Sequence, residues 1–162
     1  MTPAISNLRA RLSACRGVLV DSNILLDIAT RDPDWSGWSG RALAECAEHT
    51  TLLINPVIYA EVSIGYTTIE ALDAALPATL YQREPLPWEG GFLAGKCFLM
   101  YRRRGGLRHS PLPDFYIGAH AAVGHLALLT RDAAGFRSYF PKLVVLAPAK
   151  RWRSDVSNHL KT

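Results

Sequence analysis

Short apolar runs alternate along this chain with longer segments in which apolar residues recur at helical spacing. The runs predict buried strands, and they occupy residues 17–20, 51–54, 126–130 and 143–146, with a weaker candidate at 80–86. The segments between them predict helices over residues 23–30, 36–49, 68–76 and 88–104, with two more starting near Asn55 and near Pro113. Because strands separated by helices favour right-handed βαβ units, we predict one α/β domain with three layers, in which helices cover both faces of a parallel sheet of about five strands.

Local capping signals place individual side chains within this pattern. Asn is favoured at the N-cap and Pro at the first helical position, so Asn55 and Pro56 predict a helix start that puts Glu61 in the second turn. Gly105 and Gly106 are typical of a helix C-terminus, where a left-handed residue is common. The polar residues near strand ends can therefore be located before their chemistry is considered.

The two ends of the chain differ from the middle. We divide the chain into an N-terminal extension over residues 1–16, a main domain over 17–148 and a basic tail over 149–162. The extension predicts a short amphipathic helix, because three apolar residues fall on one face: Ile5, Leu8 and Leu12. Its arginines and its lack of acids are also seen in organelle transit peptides, which stays an alternative.

Composition adds size and charge to this picture. The chain has 162 residues, of which 49% are apolar and 20% charged, as in one ordinary globular domain with its own core. Its formal net charge of +4 suits a polyanionic partner without specifying one. There is no apolar run of about 18 residues and no secretory signal, and the three cysteines lack CxxC spacing. We therefore predict a cytoplasmic protein with no membrane segment.

Four acids fall where the predicted elements would bring them together. Asp21 and Asp132 follow predicted strands, Asp114 lies near a helix start, and Glu61 lies in the helix after the second strand. Ligands of open parallel sheets bind at the carboxyl ends of the strands, so these side chains can share one edge. Taken singly, each acid is as well explained as a turn, a cap or a solvated side chain. Converging carboxylates repel one another, however, and oxygen ligands favour a hard cation, Mg²⁺ or Mn²⁺.

Four motifs in this order resemble the PIN domains, and in particular the toxin ribonucleases of bacterial VapBC toxin–antitoxin modules. They are Val-Leu-Val-Asp-Ser-Asn at 18–23, Asn-Pro-Val-Ile-Tyr-Ala-Glu at 55–61, Leu-Pro-Asp-Phe-Tyr-Ile-Gly-Ala-His-Ala at 112–121 and Leu-Leu-Thr-Arg-Asp at 128–132. No single motif is specific, but the ordered set is. The extension of about sixteen residues before the first strand departs from the usual pattern of such toxins.

The resemblance implies an activity and a set of site residues. Asp21, Glu61, Asp114 and Asp132 would be catalytic metal ligands, supported by Asn23 and Thr130. The implied activity is an Mg²⁺- or Mn²⁺-dependent endoribonuclease that uses metal-activated water and leaves a 5′-phosphate and a 3′-hydroxyl. The implied partners are RNA, a cognate antitoxin protein and a second copy of the chain in a homodimer.

We predict that RNA is bound mainly by positively charged residues that lie away from the four acids. The candidates are a run near the end of the 88–104 helix and one aromatic residue of the tail, namely Arg102, Arg103, Arg104, Arg108 and Trp152. Arginines near a helix C-terminus also complement the helix dipole on solvated faces, and Trp152 also suits dimer or core packing, so these alternatives stay open. We interpret His109, His120 and His125 as surface or helix residues rather than catalysts.

Two other α/β folds with a catalytic Asp after a strand share part of this pattern. A haloacid-dehalogenase-like phosphotransferase needs an Asp two residues after the first, where this chain has Asn23. A receiver domain needs an Asp at the end of a middle strand, where this chain has Asn55 and Pro56. A PIN domain that binds nucleic acid or a partner without cleaving remains the alternative, because a fold alone does not establish activity.

Overall fold

A computed structural model describes residues 2–149, which form eight helices and five strands. The helices are α1 Leu8–Arg11, α2 Ser22–Ala29, α3 Ser36–His49, α4 Pro56–Ser63, α5 Ile69–Ala75, α6 Trp88–Arg103, α7 Pro113–Val123 and α8 Ala133–Tyr139. The strands are β1 Val18–Val20, β2 Leu52–Ile54, β3 Tyr81–Arg83, β4 Ala127–Leu129 and β5 Val145–Leu146. No helix in this part of the chain is both long and apolar enough to cross a bilayer.

The five strands form one parallel sheet in the order β3-β2-β1-β4-β5. The central strand β1 is fully enclosed, since its three residues are 0% exposed. β2 and β4 on either side of it are also buried along their whole length. Burial on both faces requires a helical layer on each side, so the predicted three-layer α/β fold with five strands is confirmed.

Side-chain caps start three of the helices that surround the sheet. Asp21 caps α2, and Thr68 caps α5 by accepting from the backbone N–H of Ala71. The side chain of Asn55 accepts from the N–H of Ile58, with Pro56 at the first helical position. Each cap satisfies an N–H that would otherwise lack a partner. Glu61 therefore lies in the second turn of α4, as the sequence predicts.

Helix α8 is the element that the sequence pattern does not predict. It has seven residues and buries only Ala133 and Phe136, so it gives too few apolar positions to establish a helical period. Gly135 inside it lowers helical propensity further. Its formation depends on packing against β5 and α7. At the end of α6, by contrast, Gly105 has φ +90° and ends the helix as predicted.

The N-terminal segment packs into the core of the domain. Its helical part is the single turn α1, and the predicted apolar face is buried, comprising Ile5, Leu8 and Leu12. The carboxylate of Glu45 on α3 accepts from the N–H of Ala4 at 2.8 Å, and Nε1 of the buried Trp38 donates to the carbonyl of Ala4 at 3.3 Å. Nη2 of Arg11 donates to the carbonyl of Val145 in β5 at 2.7 Å. The segment thus joins α3 to the edge of the sheet.

Candidate active site

The strand register lines up a row of polar residues at the carboxyl edge of the sheet. Val20 pairs with Leu129, so the next residues, Asp21 and Thr130, are neighbours. On the other side, continuing the register of the paired strands puts two further residues in the same row, Asn55 after β2 and Glu84 after β3. Four adjacent strands therefore present polar side chains at the edge where open parallel sheets bind ligands.

Asp21 is held in one orientation at the centre of this row. It is 3% exposed, and as the N-cap of α2 its Oδ1 accepts from the N–H of Ser22 at 2.7 Å. Its Oδ2 accepts from the hydroxyl of Thr130 at 2.8 Å. Two donors on opposite oxygens fix the plane of the carboxylate before any ligand is bound.

Ser22 links Asp21 to Glu61. Its Oγ lies 3.1 Å from Oε1 of Glu61 and 3.4 Å from Oδ1 of Asp21. A hydroxyl has one proton, so Ser22 donates to one carboxylate at a time, and the shorter distance favours Glu61 as the acceptor. Ser22 follows Asp21 directly in the chain but is not among the predicted site residues.

Asn23 and Thr130 form the other side of the site, where they were predicted to support the acids. Nδ2 of Asn23 donates to Oγ1 of Thr130 at 3.1 Å, and the N–H of Asp132 donates to the same oxygen at 3.2 Å. Because Oγ1 accepts both of these bonds, its own proton is left for Asp21. Oδ1 of Asn23 also accepts from the N–H of Arg131 at 3.4 Å. These contacts connect α2 to the loop that carries Asp132.

The four predicted acids, which we call the acidic quartet, interact through their charges. Burial raises the pKa of Asp21 to about 6, the hydroxyl of Thr130 opposes that rise, and the charges of Asp114 and Glu61 add to it. Burial, with a contribution from Asp114, also raises the pKa of Glu61. Asp114 is solvent-exposed by area, yet the surrounding protein removes enough water to raise its pKa, and Asp132 adds to the effect. The charge of Asp132 therefore acts on Asp114, and the charge of Asp114 acts on both Asp21 and Glu61.

The comparisons with known proteins agree with this fold. A family model described as PIN domain matches residues 18–139, about three quarters of the chain. The chain belongs to the PIN-domain family. The predicted resemblance is thereby confirmed at the level of the family. No curated protein matches the sequence significantly.

Solved structures with a similar fold come from bacterial complexes. A chain of VapBC2 from Rickettsia felis, bound to a DNA fragment from its promoter, is 18% identical with a TM-score of 0.62, covering 82% of this chain and 98% of that one. A chain of VapBC-1 from nontypeable Haemophilus influenzae is 18% identical with a TM-score of 0.60, covering 84% and 98%. A chain of a toxin–antitoxin complex from Klebsiella pneumoniae is 21% identical with a TM-score of 0.57, covering 82% and 98%. At identities of 18% to 21%, the similarity establishes a shared fold and nothing further.

The donor set of this PIN domain fits a hydrated hard cation. Within residues 2–149, no three side chains of His, Cys, Asp or Glu approach closely enough to enclose a metal ion directly. Magnesium, however, usually keeps several waters and binds through one or two carboxylates. The buried Asp21, with its pKa of about 6, is the carboxylate that a nearby cation would stabilise most. Carboxylate donors that do not enclose an ion directly therefore suit a cation that retains much of its water shell.

The predicted RNA-binding arginines lie at the end of α6, and two of them are tied to nearby groups. Nη1 of Arg102 donates to the carbonyls of Gly106 and Arg108 at 2.9 and 3.1 Å. Arg104 donates to Ser138 at 2.9 Å, and its Cζ lies 4.8 Å from the centroid of the Tyr139 ring. The guanidinium groups of Arg103 and Arg108 make no hydrogen bond or ion pair with other residues of the 2–149 segment. Trp152 lies outside residues 2–149.

Two buried polar networks beside the quartet were not predicted. Asp27 on α2 accepts from the hydroxyl of Ser39 at 2.7 Å and forms an ion pair with Arg131 at 3.3 Å. His120 is fully buried in α7, where its Nδ1 contacts Nδ2 of Asn55 at 3.0 Å. Both networks join residues far apart in sequence, and neither forms a motif that sequence reading could detect.

Removing the hydroxyl of Thr130 is expected to weaken the site without unfolding it. Thr130→Val keeps the shape of the side chain but deletes the donor to Oδ2 of Asp21, so the pKa of Asp21 should rise further. Partners of metal ligands typically contribute about 10- to 100-fold to affinity or activity. The resemblance implies RNA cleavage at this site, and on that expectation the loss in cleavage is of this size, whereas Thr30→Val, at an exposed helix end, should have no effect. Equal activities would show that Thr130 does not support Asp21.

Asp21 should also make the stability of the metal-free protein depend on pH. Its pKa is about 6 in the folded state and ordinarily 3.8, so between these values the folded state binds more protons than the unfolded state. Stability therefore falls as pH rises through this window, and we expect the free energy of unfolding to be about 1 kcal/mol higher near pH 5 than near pH 7. Urea denaturation in chelator measures this difference. Asp21→Asn should reduce this difference in the free energy of unfolding. If the variant shows the same difference between the two pH values, another group causes it.

Proposed function

We propose that this PIN domain is a divalent-metal-dependent endoribonuclease. The observation that carries the proposal is the acidic quartet, whose charges meet at the carboxyl edge of the sheet and raise the pKa values of Asp21, Glu61 and Asp114. Such an arrangement costs stability unless a cation offsets the repulsion, so selection for function is the simplest reason to keep it. RNA is the substrate implied by the resemblance to the VapBC toxins.

The described residues have distinct roles in this proposal. Mg²⁺ or Mn²⁺ held by the quartet would supply an activated water and stabilise charge on the phosphate. Ser22 and Thr130 fix the carboxylate of Asp21, and Asn23 directs the hydroxyl proton of Thr130 towards it. The quartet repels the RNA backbone when no cation is present, so positive charge elsewhere must hold the strand.

The experiment that tests this function is cleavage of a mixed RNA pool by purified, partner-free protein. Magnesium, manganese and chelator are compared, and the ends of the products are mapped. We expect cutting with either metal, none in chelator, and products with a 5′-phosphate and a 3′-hydroxyl. A folded protein that cuts no RNA under any of these conditions, yet binds it, would favour the non-cleaving alternative.

The arginines at the end of α6 are proposed to hold the RNA backbone. Replacing Arg102, Arg103 and Arg104 with Ala should weaken binding and lower the salt dependence, by about 0.7 in log–log slope for each lost phosphate contact. Arg103→Ala alone should account for most of the change, because Arg102 and Arg104 are tied to the protein. Arg9→Ala on α1 is the control. An identical salt slope in all variants would return these arginines to the solvated-face interpretation.

We further propose that the chain is a cytoplasmic toxin with a cognate antitoxin, and that it forms a homodimer. The support is the fold shared with chains of VapBC and other toxin–antitoxin complexes. A small reading frame next to the gene should encode the antitoxin. Its co-expression should relieve growth inhibition and yield a complex on gel filtration. If expression of the protein without an antitoxin does not slow growth, although the purified protein cleaves RNA, the toxin assignment is contradicted.

A further inference from the structure

A small cavity opens at the carboxyl edge of the sheet, beside the quartet. Its volume is about 300 Å³, and it lies between the ends of β2 and β3 and the start of α4. Asn55, which lines it, is the neighbour of Asp21 in the register row. Adjacent strands are about 4.8 Å apart, so the cavity begins roughly one strand spacing from the centre of the quartet. A ligand extending from the quartet along this edge would reach it.

The walls of the cavity are apolar and firmly held. Pro56, Pro85 and the ring of Tyr59 contribute flat hydrocarbon surfaces. The hydroxyl of Tyr59 donates to Oδ1 of Asp73 at 2.7 Å, and Arg83 pairs with the same oxygen at 2.6 Å. Cζ of Arg83 also lies 5.0 Å from the centroid of the Tyr59 ring. The cavity therefore combines a fixed aromatic surface with a guanidinium plane whose charge is paired with Asp73.

The remaining polar groups of the cavity already have partners. Asn55 uses its oxygen to cap α4 and its Nδ2 to contact His120. The carboxylate of Glu84 pairs with Arg16, Nη1 to Oε2 at 2.9 Å, and contacts Nε2 of His120 at 3.2 Å. Because the negative charge of Glu84 is paired with Arg16, it repels an anionic ligand little. The cavity thus suits a flat, largely apolar group attached to a negatively charged chain.

We propose that this cavity binds one unpaired nucleobase of the RNA, from a nucleotide flanking the cleaved bond. The inference rests on the proposed ribonuclease function and deepens it. Proteins recognise single-stranded RNA by stacking splayed bases on aromatic rings and arginine planes, which are the groups that Tyr59 and Arg83 supply. A volume of about 300 Å³ accommodates a base but excludes a helix of a protein partner.

An abasic scan tests this inference on the unmodified protein. One single-stranded RNA with a mapped cut is prepared as a series, each member lacking the base at one position. We expect kcat/KM to fall at one position next to the cut by roughly 5- to 150-fold, the range given by stacking on an aromatic residue. A flat profile, with every abasic RNA cut as well as the parent, would overturn the inference.

Variants of Tyr59 test whether the base at the sensitive position binds in the cavity. Tyr59→Leu should lower kcat/KM on the intact RNA about tenfold. In this variant, removing the base at the sensitive position should cause no further fall in kcat/KM. Tyr59→Phe keeps the ring and should keep the profile. Tyr66→Leu makes the same change outside the cavity, so its profile should match that of the unmodified protein. A profile that persists in Tyr59→Leu would contradict the assignment even if cleavage is slower.

A binding measurement separates failure of the inference from failure of the proposed function. RNAs with 2-aminopurine at single positions are titrated with the Asp114→Asn protein, and fluorescence reports stacking of that base. We expect one responsive position, with the response lost when Tyr59→Leu is added. That result without any cleavage by the unmodified protein would leave the cavity assignment standing and reject the ribonuclease. If no position responds, the cavity assignment is overturned. The same holds if Tyr59→Leu keeps the fluorescence response to RNA and loses only its binding to the antitoxin.

Discussion

Asp114→Asn is expected to abolish RNA cleavage and leave the fold intact. The substitution removes one charge of the quartet, and the metal-supplied share of catalysis amounts to several kcal/mol, so we expect kcat/KM to fall roughly 1000-fold. Asp21→Asn should lose as much, because Asp21 is the most buried member. Initial rates on a defined RNA with saturating magnesium measure the effect.

The same two variants should fold at least as well as the unmodified protein near neutral pH. The pKa values of Asp21 and Asp114 are raised, so their charged forms are disfavoured in the folded state and removing either charge relieves that cost. Asp34→Asn, an exposed acid outside the quartet, is the matched control and should keep full activity. Cleavage retained in both Asp21→Asn and Asp114→Asn would reject the quartet as the active site.

Deleting residues 2–12 is expected to unfold the domain or make it insoluble. The deletion removes the buried side chains of Ile5, Leu8 and Leu12 and uncovers Trp38 on α3. A single buried Leu typically contributes about 2–5 kcal/mol, and a whole domain is stable by only about 5–15 kcal/mol. Soluble yield and thermal melting of the truncated chain measure the loss.

A milder pair of variants tests the same segment without risking the whole fold. Leu8→Ala should lower the free energy of unfolding by about 2–4 kcal/mol, because Leu8 is 6% exposed. Arg9→Ala changes the neighbouring exposed residue and should shift it by less than about 0.5 kcal/mol. Equal stabilities of these two variants and the unmodified protein would mean that the segment is an appendage to the domain.

The sheet and the positions of the four acids along its elements could be predicted because their signals are local. β1 is an uninterrupted apolar run that ends in Asp21, and Asn55 with Pro56 marks the start of α4, which locates Glu61 by counting. Parallel topology then follows from the alternation of strands and helices, and it brings the strand ends to one edge. None of these steps needs knowledge of a contact between distant residues.

The parts that could not be predicted depend on tertiary contacts. His120 meets Asn55 across 65 positions of the chain, and nothing around either residue indicates the pairing. Helix α8 is too short to show a period and owes its stability to its neighbours. Ser22 is a different case, because it follows Asp21 in the first motif and could have been proposed as a partner of the carboxylates. Its bond to Glu61 becomes evident only when α2 and α4 are placed side by side.

Binding of Mn²⁺ to the purified protein tests the central claim, that the acidic quartet holds a divalent cation. Calorimetric titration of the unmodified protein is compared with Asp114→Asn and with the exposed control Asp34→Asn. We predict saturable binding to the unmodified protein and to Asp34→Asn, with a large loss of affinity in Asp114→Asn. Affinity that Asp114→Asn retains in full, or no binding to the unmodified protein, would contradict the account.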